Sequence, residues 1–418
     1  MPAPAPTGDR HADILDPDVY VGGVPHATFR KLRDEDPVSW WDAPGGRGLW
    51  AVTRYDDVVA VSRQPAIFSS AQGIRIEDMA PDELAARRTM MELDPPAHTT
   101  YRRLVQPPFS FREVASYEQA LRLMARAMID DLRRHTAFDV VELLARQLPM
   151  RMLGRLLGVP DEDGPWLVRQ GDALIGNADP EFTDTPVDLA DTDAYRLLPF
   201  RSPVSRELFA YAAEQARQRR EQPGNDVISL LLRPTRDGAP LGDEEFKNFF
   251  TLLVAAGNDT TRYSIAAGLL ALIEHPEQLA ALRDDAALMP DAVEEMLRWS
   301  TVTMHFRRTA VADTTLGGRA IRRGDKVLIW FIAGDFDERR FPDPFTFDIR
   351  RTPNEHLAFG LKSPHKCLGE HLARLEMRVL FEELLPALAD IRVSGPIERL
   401  RSNFVAGIKH LPVTVAWT

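Results

Sequence analysis

Cys367 is the only cysteine among 418 residues, and the residues around it suit a reactive thiol. A single cysteine forms neither an intrachain disulfide nor a multi-thiolate zinc or iron–sulfur site. The remaining roles are a structural thiol, a nucleophile or a single axial metal ligand. Phe359 opens a turn before the cysteine, His365 lies two residues before it, and Gly369 precedes a helical pattern. The pattern predicts a loop that leads into a helix N-terminus, where backbone N–H groups stabilise a thiolate.

A second candidate group lies inside the longest helical pattern of the chain, in the run from Ala256 to Thr261. Small residues such as Gly257 allow close approach to a planar cofactor, and Asp259 beside Thr260 can distort a helix and hold water. An Asp-Thr-Thr run on a helix is more often a solvated face. The apolar stretch FFTLLVAAG just before it predicts burial instead.

Charged residues elsewhere have ordinary alternatives. Glu295 and Arg298 stand three residues apart, a spacing that commonly gives a surface ion pair worth tenths of a kcal/mol. Arg102 and Arg308, far apart in sequence, would each alone be a solvated surface charge.

The cysteine segment, NEHLAFGLKSPHKCLGEHLARLE, resembles the haem-binding signature F-G-x-G-x-H-x-C-x-G of the cytochrome P450 superfamily. Here the stretch from Phe359 to Cys367 is one residue longer than in that signature, and Lys362, Ser363 and Pro364 stand where the second glycine is absent. The run from Ala256 to Thr261, the Glu295-x-x-Arg298 pair and the segment DERRFPDPFTFDIRR also resemble family motifs, in the family's order. The pattern is most similar to bacterial P450s that oxidise terpenoids, sterol side chains and branched lipids.

The resemblance implies a role for each of these residues. Cys367 would be the metal ligand of haem b (iron protoporphyrin IX), and Asp259 would relay protons to a water network held by Thr260. The buried Glu295–Arg298 pair would bond the segment before the cysteine loop. The other haem-binding and haem-facing positions implied in this way are Phe359, Gly369, Ala256 and Gly257, with His98, Arg102, Arg308 and His365 as donors to the propionates.

The positions that resemble the family's pocket-lining sites are almost all apolar. They predict an apolar terpenoid, steroid or branched-lipid substrate, although each position has the alternative of simple core. These positions are Ile74, Met79, Leu253, Ala256, Val302, Met304 and Phe404, with Thr303 and His305 as polar exceptions.

The implied activity is monooxygenation with dioxygen and two electrons. The single cysteine excludes a fused iron–sulfur domain, and no length is left for a flavin reductase, so the expected partners are a separate ferredoxin and an NAD(P)H-ferredoxin reductase. We expect the proximal face, the surface on the cysteine side of the haem, to be positively charged. The residues expected to contribute this charge are His98, Arg102, Arg103 and Lys366. Three alternatives stay open: a peroxide-dependent haem-thiolate peroxygenase, a non-catalytic binding protein of the same fold, and a haem-free helical protein with a buried thiol.

The elements that must position these residues are mostly helices. We predict a mainly α structure with minor β, the cytochrome P450 fold, as a single domain over residues 1–418 with an extended arm at residues 1–25. A long helix over residues 241–274 would cross the molecule above the haem. Residues 65–96 (the distal loop) have no sustained helical period, residues 176–203 (the lid segment) are predicted to belong to a mobile lid, and DAPGGRG predicts a hairpin turn.

Composition limits the remaining possibilities. Charged residues are 27% and hydrophobic residues 44% of the chain, the balance of a globular protein. The net charge of −11 and the lack of a basic tract argue against a nucleic-acid partner. We find no apolar run long enough to span a membrane and no signal-peptide pattern, and we therefore expect a cytoplasmic protein without a membrane partner.

Overall fold

A computed structural model describes residues 13–42, 48–234 and 241–418 of the chain. Helices dominate these residues and strands are few, which confirms the mainly α prediction. The α-helices are α1 His26–Glu35, α2 Tyr55–Ser62, α3 Pro81–Arg87, α4 Ala97–Val105, α5 Phe111–Ser116, α6 Glu118–Leu132, α7 Gln147–Leu157, α8 Gly164–Ile175, α9 Ser205–Glu221, α10 Val227–Leu231, α11 Asp243–Glu274, α12 Pro276–Asp284, α13 Met289–Ser300, α14 Phe331–Gly334 and α15 Glu370–Ala387. The strands are β1 Val38–Trp41, β2 Leu49–Val52, β3 Phe68–Ser69, β4 Ala137–Asp139, β5 His305–Ala310, β6 Thr314–Leu316, β7 Arg319–Ile321, β8 Lys326–Trp330, β9 Leu388–Val393, β10 Glu398–Arg399, β11 Ile408–His410 and β12 Pro412–Trp417.

The largest sheet has the strand order β1-β2-β8-β5-β3. β1 and β2 pair antiparallel with Val38 opposite Val52, as the predicted hairpin requires, while β2 and β8 run parallel. The predicted turn between β1 and β2 falls on residues 43–47, which lie outside the described residues. A second sheet of order β4-β12-β9 joins the C-terminal strand to the middle of the chain.

The long helix predicted over residues 241–274 is confirmed as α11, which has 32 residues and a length of about 48 Å at 1.5 Å per residue. Its start is capped by Glu245, whose Oε2 accepts the backbone N–H of Gly242 at 3.0 Å, and acidic residues in the first turn suit the helix dipole. The centre is buried, with Phe250 0% and Val254 1% exposed. α7, α8, α9 and α13 pack around α11, so this helix forms the axis of the core.

The N-terminal arm differs from the prediction where it is described. Residues 1–12 lie outside the described residues. Pro17–Gly22 form a 3-10 helix, and Ile14 (0% exposed) and Tyr20 (3%) are buried, so this part of the arm is folded onto the protein and is not extended. The apolar side chains explain the difference, because burying them outweighs the Pro- and Asp-rich character of the segment.

Within the described part of the chain, no helix has the length and apolar character needed to cross a membrane.

Candidate functional site

One cavity collects side chains from segments that are far apart in the chain. Its volume is about 2360 Å³, including space open to solvent. The distal loop, the lid segment, α4, α11, β5 and the loop before α15 all contribute to its wall. Most lining residues are apolar, as a site for a large hydrophobic molecule requires.

The loop before α15 presents Cys367 to this cavity. The backbone N–H of Cys367 donates to the Phe359 carbonyl oxygen at 2.8 Å, and the turn between them uses positive φ angles at Gly360 (70°) and Lys362 (61°). Gly369 ends the loop at the N-terminus of α15, as predicted. The Cys367 side chain is exposed to the cavity, and desolvation in this enclosed space raises the pKa of its thiol, although the backbone N–H of Gly369 and the Arg102 guanidinium favour the thiolate. The helix terminus alone therefore does not ionise this thiol, whereas a coordinated metal ion would.

All four side chains predicted to bind propionates line the same cavity: His98 and Arg102 on α4, Arg308 on β5, and His365 in the cysteine loop. The His98 and His365 rings lie with centroids 4.1 Å apart. Burial and the neighbouring Arg102 lower the pKa of His98 to about 4, so this imidazole is neutral at pH 7. Burial lowers the pKa of Arg308 to about 10, which leaves its guanidinium charged.

The chemistry of these donors fits haem, the cofactor that the sequence resemblance implies. The buried Nε2 atom of His98 has no hydrogen-bond partner among the described residues, and the Arg102 guanidinium makes no ion pair with them. Buried polar groups normally have partners, and a propionate supplies the acceptor that both donors need. A single thiol, unsatisfied donors and an apolar wall are what a haem with two carboxylates requires of its site.

The face of α11 toward the cavity carries Ala256, Gly257 and Thr260. The Thr260 hydroxyl donates to the Ala256 carbonyl oxygen at 3.1 Å and still has lone pairs for water. A Cβ atom added to Gly257 would lie 2.8 Å from Leu153 Cδ1. The glycine thus makes room for α7, while Ala256 is the small residue exposed to the cavity.

Asp259 is 0% exposed and, unlike its neighbour Thr260, is not part of the cavity wall. Adjacent helical residues point about 100° apart, which turns Asp259 toward α8. Its Oδ1 accepts from Asn258 Nδ2 at 2.9 Å and lies 3.2 Å from Arg262 Nη2, and Arg262 Nη1 lies 2.5 Å from Asp172 Oδ1. Asp259 Oδ2 has no partner among the described residues. Burial raises the pKa of Asp259 to about 7, although the Arg262 charge opposes this shift.

The Glu295–Arg298 pair is buried, with both side chains 0% exposed and two contacts of 2.7 and 2.8 Å. Arg298 Nη1 donates to the carbonyl oxygens of Asp335 and Pro344 at 2.8 and 3.0 Å. Glu295 accepts from Arg351 Nε at 3.1 Å. The expected burial, and the expected bonding of the segment before the cysteine loop, are both confirmed.

Most of the predicted substrate positions line the cavity, and two do not. Ile74, Met79, Leu253, Val302 and Phe404 line the cavity, together with the polar Thr303.

Met304 is the exception among the apolar predicted positions, and its assignment to the pocket was wrong. It is 0% exposed and packs in a core cluster with Leu328 and Trp330. His305, predicted as a polar pocket residue, is likewise absent from the cavity wall, and its ring packs edge-on against Trp330 with centroids 4.6 Å apart. Side chains alternate along β5, so Phe306 and Arg308 line the cavity and His305 faces away from it. Met304 precedes this strand, and its backbone N–H donates to the Phe404 carbonyl oxygen at 2.9 Å, which leaves its side chain in the core.

Sequence reasoning missed three functional candidates. Arg262 follows Asp259 by three residues, a helical spacing that was available as a signal. Asp172 lies 90 residues from its partner Arg262, and nothing in the sequence connects them. Glu376, on α15, lines the cavity, and burial raises its pKa to about 8, so this acid is neutral at pH 7.

Known proteins with similar sequences are bacterial monooxygenases. A family model described as Cytochrome P450 matches residues 204–388. Linalool 8-monooxygenase of Pseudomonas putida is 36% identical over 412 residues, which cover 96% of this chain and 98% of that protein. A methyl-branched lipid omega-hydroxylase of Mycobacterium tuberculosis strain H37Rv is 37% identical, with 99% and 96% covered.

Known structures are similar over nearly the whole chain as well. A Mycobacterium marinum cytochrome P450 in complex with pseudoionone superposes with a TM-score of 0.87 at 37% identity, covering 98% of this chain and 100% of that one. The likeness in sequence and in fold extends over nearly the full length of these relatives. The chain therefore belongs to the cytochrome P450 family of haem-thiolate monooxygenases.

Proposed function

We propose that this enzyme inserts one oxygen atom of dioxygen into an apolar terpenoid, steroid or branched-lipid substrate. The observation that carries the proposal is the cavity itself. In it the cysteine, four arginine and histidine donors, among them the unpartnered Nε2 of His98, and Thr260 face one largely apolar space. The names of the relatives support the substrate class, because they include a linalool monooxygenase and a methyl-branched lipid hydroxylase.

In this proposal Cys367 binds the haem iron, and His98, Arg102, Arg308 and His365 hold the propionates. Haem bound in this way supplies dioxygen activation, with the thiolate donating electron density that favours O–O cleavage. The Glu295–Arg298 pair holds the segment before the cysteine loop in place through its bonds to backbone carbonyls.

Thr260 and Asp259 divide the handling of protons between them. Thr260 faces the cavity and orients water there through its hydroxyl. Asp259 lies behind it with a pKa of about 7, which lets this carboxyl take and release a proton near neutral pH. A turn of the Asp259 side chain away from Arg262 would bring a proton toward the cavity.

Substrate binding rests on buried apolar area, at about 25 cal/mol per Å² removed from water. Phe404, Val302 and Leu253 supply such area from three separate segments of the chain. An apolar wall also keeps bulk water away from the reacting carbon.

Electrons come from a separate ferredoxin and its NAD(P)H-dependent reductase. Lys366 next to the cysteine is partly exposed but pairs with Glu370 at 2.5 Å, and Arg103 is exposed on α4. His98 and Arg102, predicted on the same surface, line the cavity instead, so they add no charge to a docking face. The positive charge of the proximal face is therefore smaller than expected.

Turnover under isotope-labelled dioxygen tests the proposal. The enzyme, a ferredoxin, its reductase and NADH are incubated with linalool or a branched fatty alcohol, and products are analysed by mass spectrometry. We expect hydroxylated product that carries one labelled oxygen atom. Product formed only when peroxide is added, or ligand binding without any product, would contradict the proposal.

A further inference from the structure

We propose that Arg75 and Arg87 form a carboxylate-binding site in the cavity, and that the natural substrate is a terpenoid or branched-chain carboxylic acid. This inference rests on the proposed function and narrows its substrate class. Both arginines belong to the distal loop and line the same cavity as Cys367. No other part of the proposed chemistry uses them.

The Arg75 guanidinium is held in position from three sides. It lies 4.8 Å from the centroid of the Phe404 ring and 5.5 Å from that of Phe200, and both rings line the cavity. Its Nη2 donates to Asn177 Oδ1 at 3.4 Å, and Asn177 Nδ2 donates to the Phe200 carbonyl oxygen at 2.9 Å. The side chain is 19% exposed. Stacked rings and a buried amide fix the guanidinium before any ligand arrives.

Arg87 stands beside Arg75, at the end of α3. Its side chain is 9% exposed, and its Nη1 donates to the Arg196 carbonyl oxygen in the lid segment at 3.4 Å. Glu77 Oε1 lies 3.7 Å from Arg75 Nε and 3.7 Å from Arg87 Nη2. The carboxylate of Glu77 is thus shared between two guanidinium groups, and its pKa is lowered by both of them although burial opposes the shift.

Neither guanidinium is satisfied by these contacts. Each has five N–H donors, yet its shortest hydrogen bond to a described residue is 3.4 Å long. Charge-assisted bonds to a carboxylate are typically about 2.7–2.9 Å. Among the described residues, Glu77 is the one carboxylate within ion-pair distance of either guanidinium, while Glu83 and Glu92 act on Arg87 from further away. A second carboxylate, from the substrate, would supply the missing short bonds.

The location predicts which end of the substrate reacts. Arg75 and Arg87 contact Asn177, Phe200 and Arg196 of the lid segment, whereas Cys367 belongs to the loop before α15. An acid anchored at the arginines lays its apolar body along the rest of the cavity. Oxygen insertion then falls on the hydrocarbon part, away from the carboxyl group.

Three matched ligands test this site: farnesoic acid, methyl farnesoate and farnesol. Each is titrated into the haem-loaded enzyme, and the dissociation constant is measured both by calorimetry and by the haem spin-state change. We expect the acid to bind about tenfold or more tightly than the ester and the alcohol. Arg75→Gln and Arg87→Gln should each weaken acid binding about tenfold and leave ester binding within about twofold. The neighbouring exposed Arg88→Gln is the matched control and should change neither constant.

Glu77→Gln adds a result that a purely structural role of the arginines does not produce. Removing the competing carboxylate should tighten binding of the acid and leave binding of the ester unchanged. Equal binding of acid and ester to the unmodified enzyme, or an unchanged ratio in Glu77→Gln, would overturn the site even if the arginine variants do not fold. Failure of the proposed function looks different, because the enzyme would then lack the carbonyl spectrum of a haem-thiolate while the calorimetric preference for the acid is kept.

Discussion

Thr260 and Asp259 show how much one step along a helix changes a residue's environment. Thr260 faces the cavity, while Asp259 is enclosed with Arg262 and Asp172 on the other side of α11. The sequence identified both residues, and the separation between them appears only in the structure. A proton from the Asp259 carboxyl must therefore reach the cavity by movement of this side chain or through intervening groups. Two variants test the two residues separately.

Thr260→Ala should bind substrate normally and waste electrons as peroxide. The methyl group left at this position cannot hold water for proton delivery, and the rest of the cavity is unchanged. The measurement is the ratio of product formed to NADH consumed, which should fall several-fold, with recovery in Thr260→Ser. An unchanged ratio of product to NADH would contradict a role of Thr260 in proton delivery.

Asp259→Asn should slow turnover by about a hundredfold, the usual contribution of a positioned proton donor. Burial raises the pKa of this carboxyl to about 7, so its proton-donating form is present below that pH and is lost as the pH rises through 7. The kcat of the unmodified enzyme should fall over that range, and the variant should lose this limb of the profile. If Asp259→Asn still showed the fall of kcat above pH 7, that fall would belong to another titrating group.

At the scale of elements, the fold holds its site through buried polar links between segments. The Glu295–Arg298 pair joins α13 to the backbone before the cysteine loop, and these charges have no access to water. A buried pair of this kind is costly to break, because the remaining charge loses a close partner and has no water to replace it.

Arg298→Ala should lower the free energy of unfolding by about 3–5 kcal/mol, because buried Glu295 would keep only Arg351 as a charged partner and the bonds from Arg298 to two backbone carbonyls would be lost. Urea denaturation measures the change. The double variant Glu295→Leu with Arg298→Met should be less destabilised than the single one, since it removes the fully buried carboxylate together with its fully buried partner. A loss below about 1 kcal/mol would indicate an exposed pair and contradict the burial.

The lid segment is tied to β11 by ionic contacts. His410 Nε2 lies 2.8 Å from Glu181 Oε1 and its Nδ1 lies 3.0 Å from Asp139 Oδ2, and Lys409 Nζ lies 2.6 Å from Glu181 Oε2. Partial burial lowers the pKa of His410, but hydrogen bonds to Glu181 and Asp139 outweigh it and raise the pKa above the ordinary 6.5. The charged imidazole therefore stabilises these contacts below pH 6.5, and the stabilisation is lost as the pH rises through the raised value.

Amide hydrogen exchange across residues 176–189 measures this link. Corrected for the intrinsic effect of pH, exchange in the unmodified protein should accelerate as the pH rises above 6.5 and through the raised pKa of His410, where the imidazole loses its proton. In His410→Gln the corrected rate should be fast throughout. A pH response that persists in His410→Gln would assign it to a different group.

For the whole molecule, sequence reasoning succeeded where a local pattern carried the information. α11 was predicted because its centre is apolar on every side, and the cysteine loop because one thiol precedes a helix start. Met304 was misassigned because the side to which it points depends on how the chain leaves α13, where Thr301 adopts a φ of 28°. The folded N-terminal arm and the Asp172–Arg262 contact depend on partners distant in sequence, which no local pattern reveals.

The central claim is that Cys367 ligates a haem iron inside this cavity. The most direct measurement is the absorption spectrum of the reduced protein under carbon monoxide, for the unmodified enzyme and for Cys367→Ser at matched haem content and helical circular dichroism. We predict the red-shifted carbonyl band of a thiolate-bound haem in the unmodified enzyme and its absence in Cys367→Ser, because a serine hydroxyl cannot replace the electron-donating thiolate on which this band depends. Retention of the red-shifted band by Cys367→Ser would contradict the account.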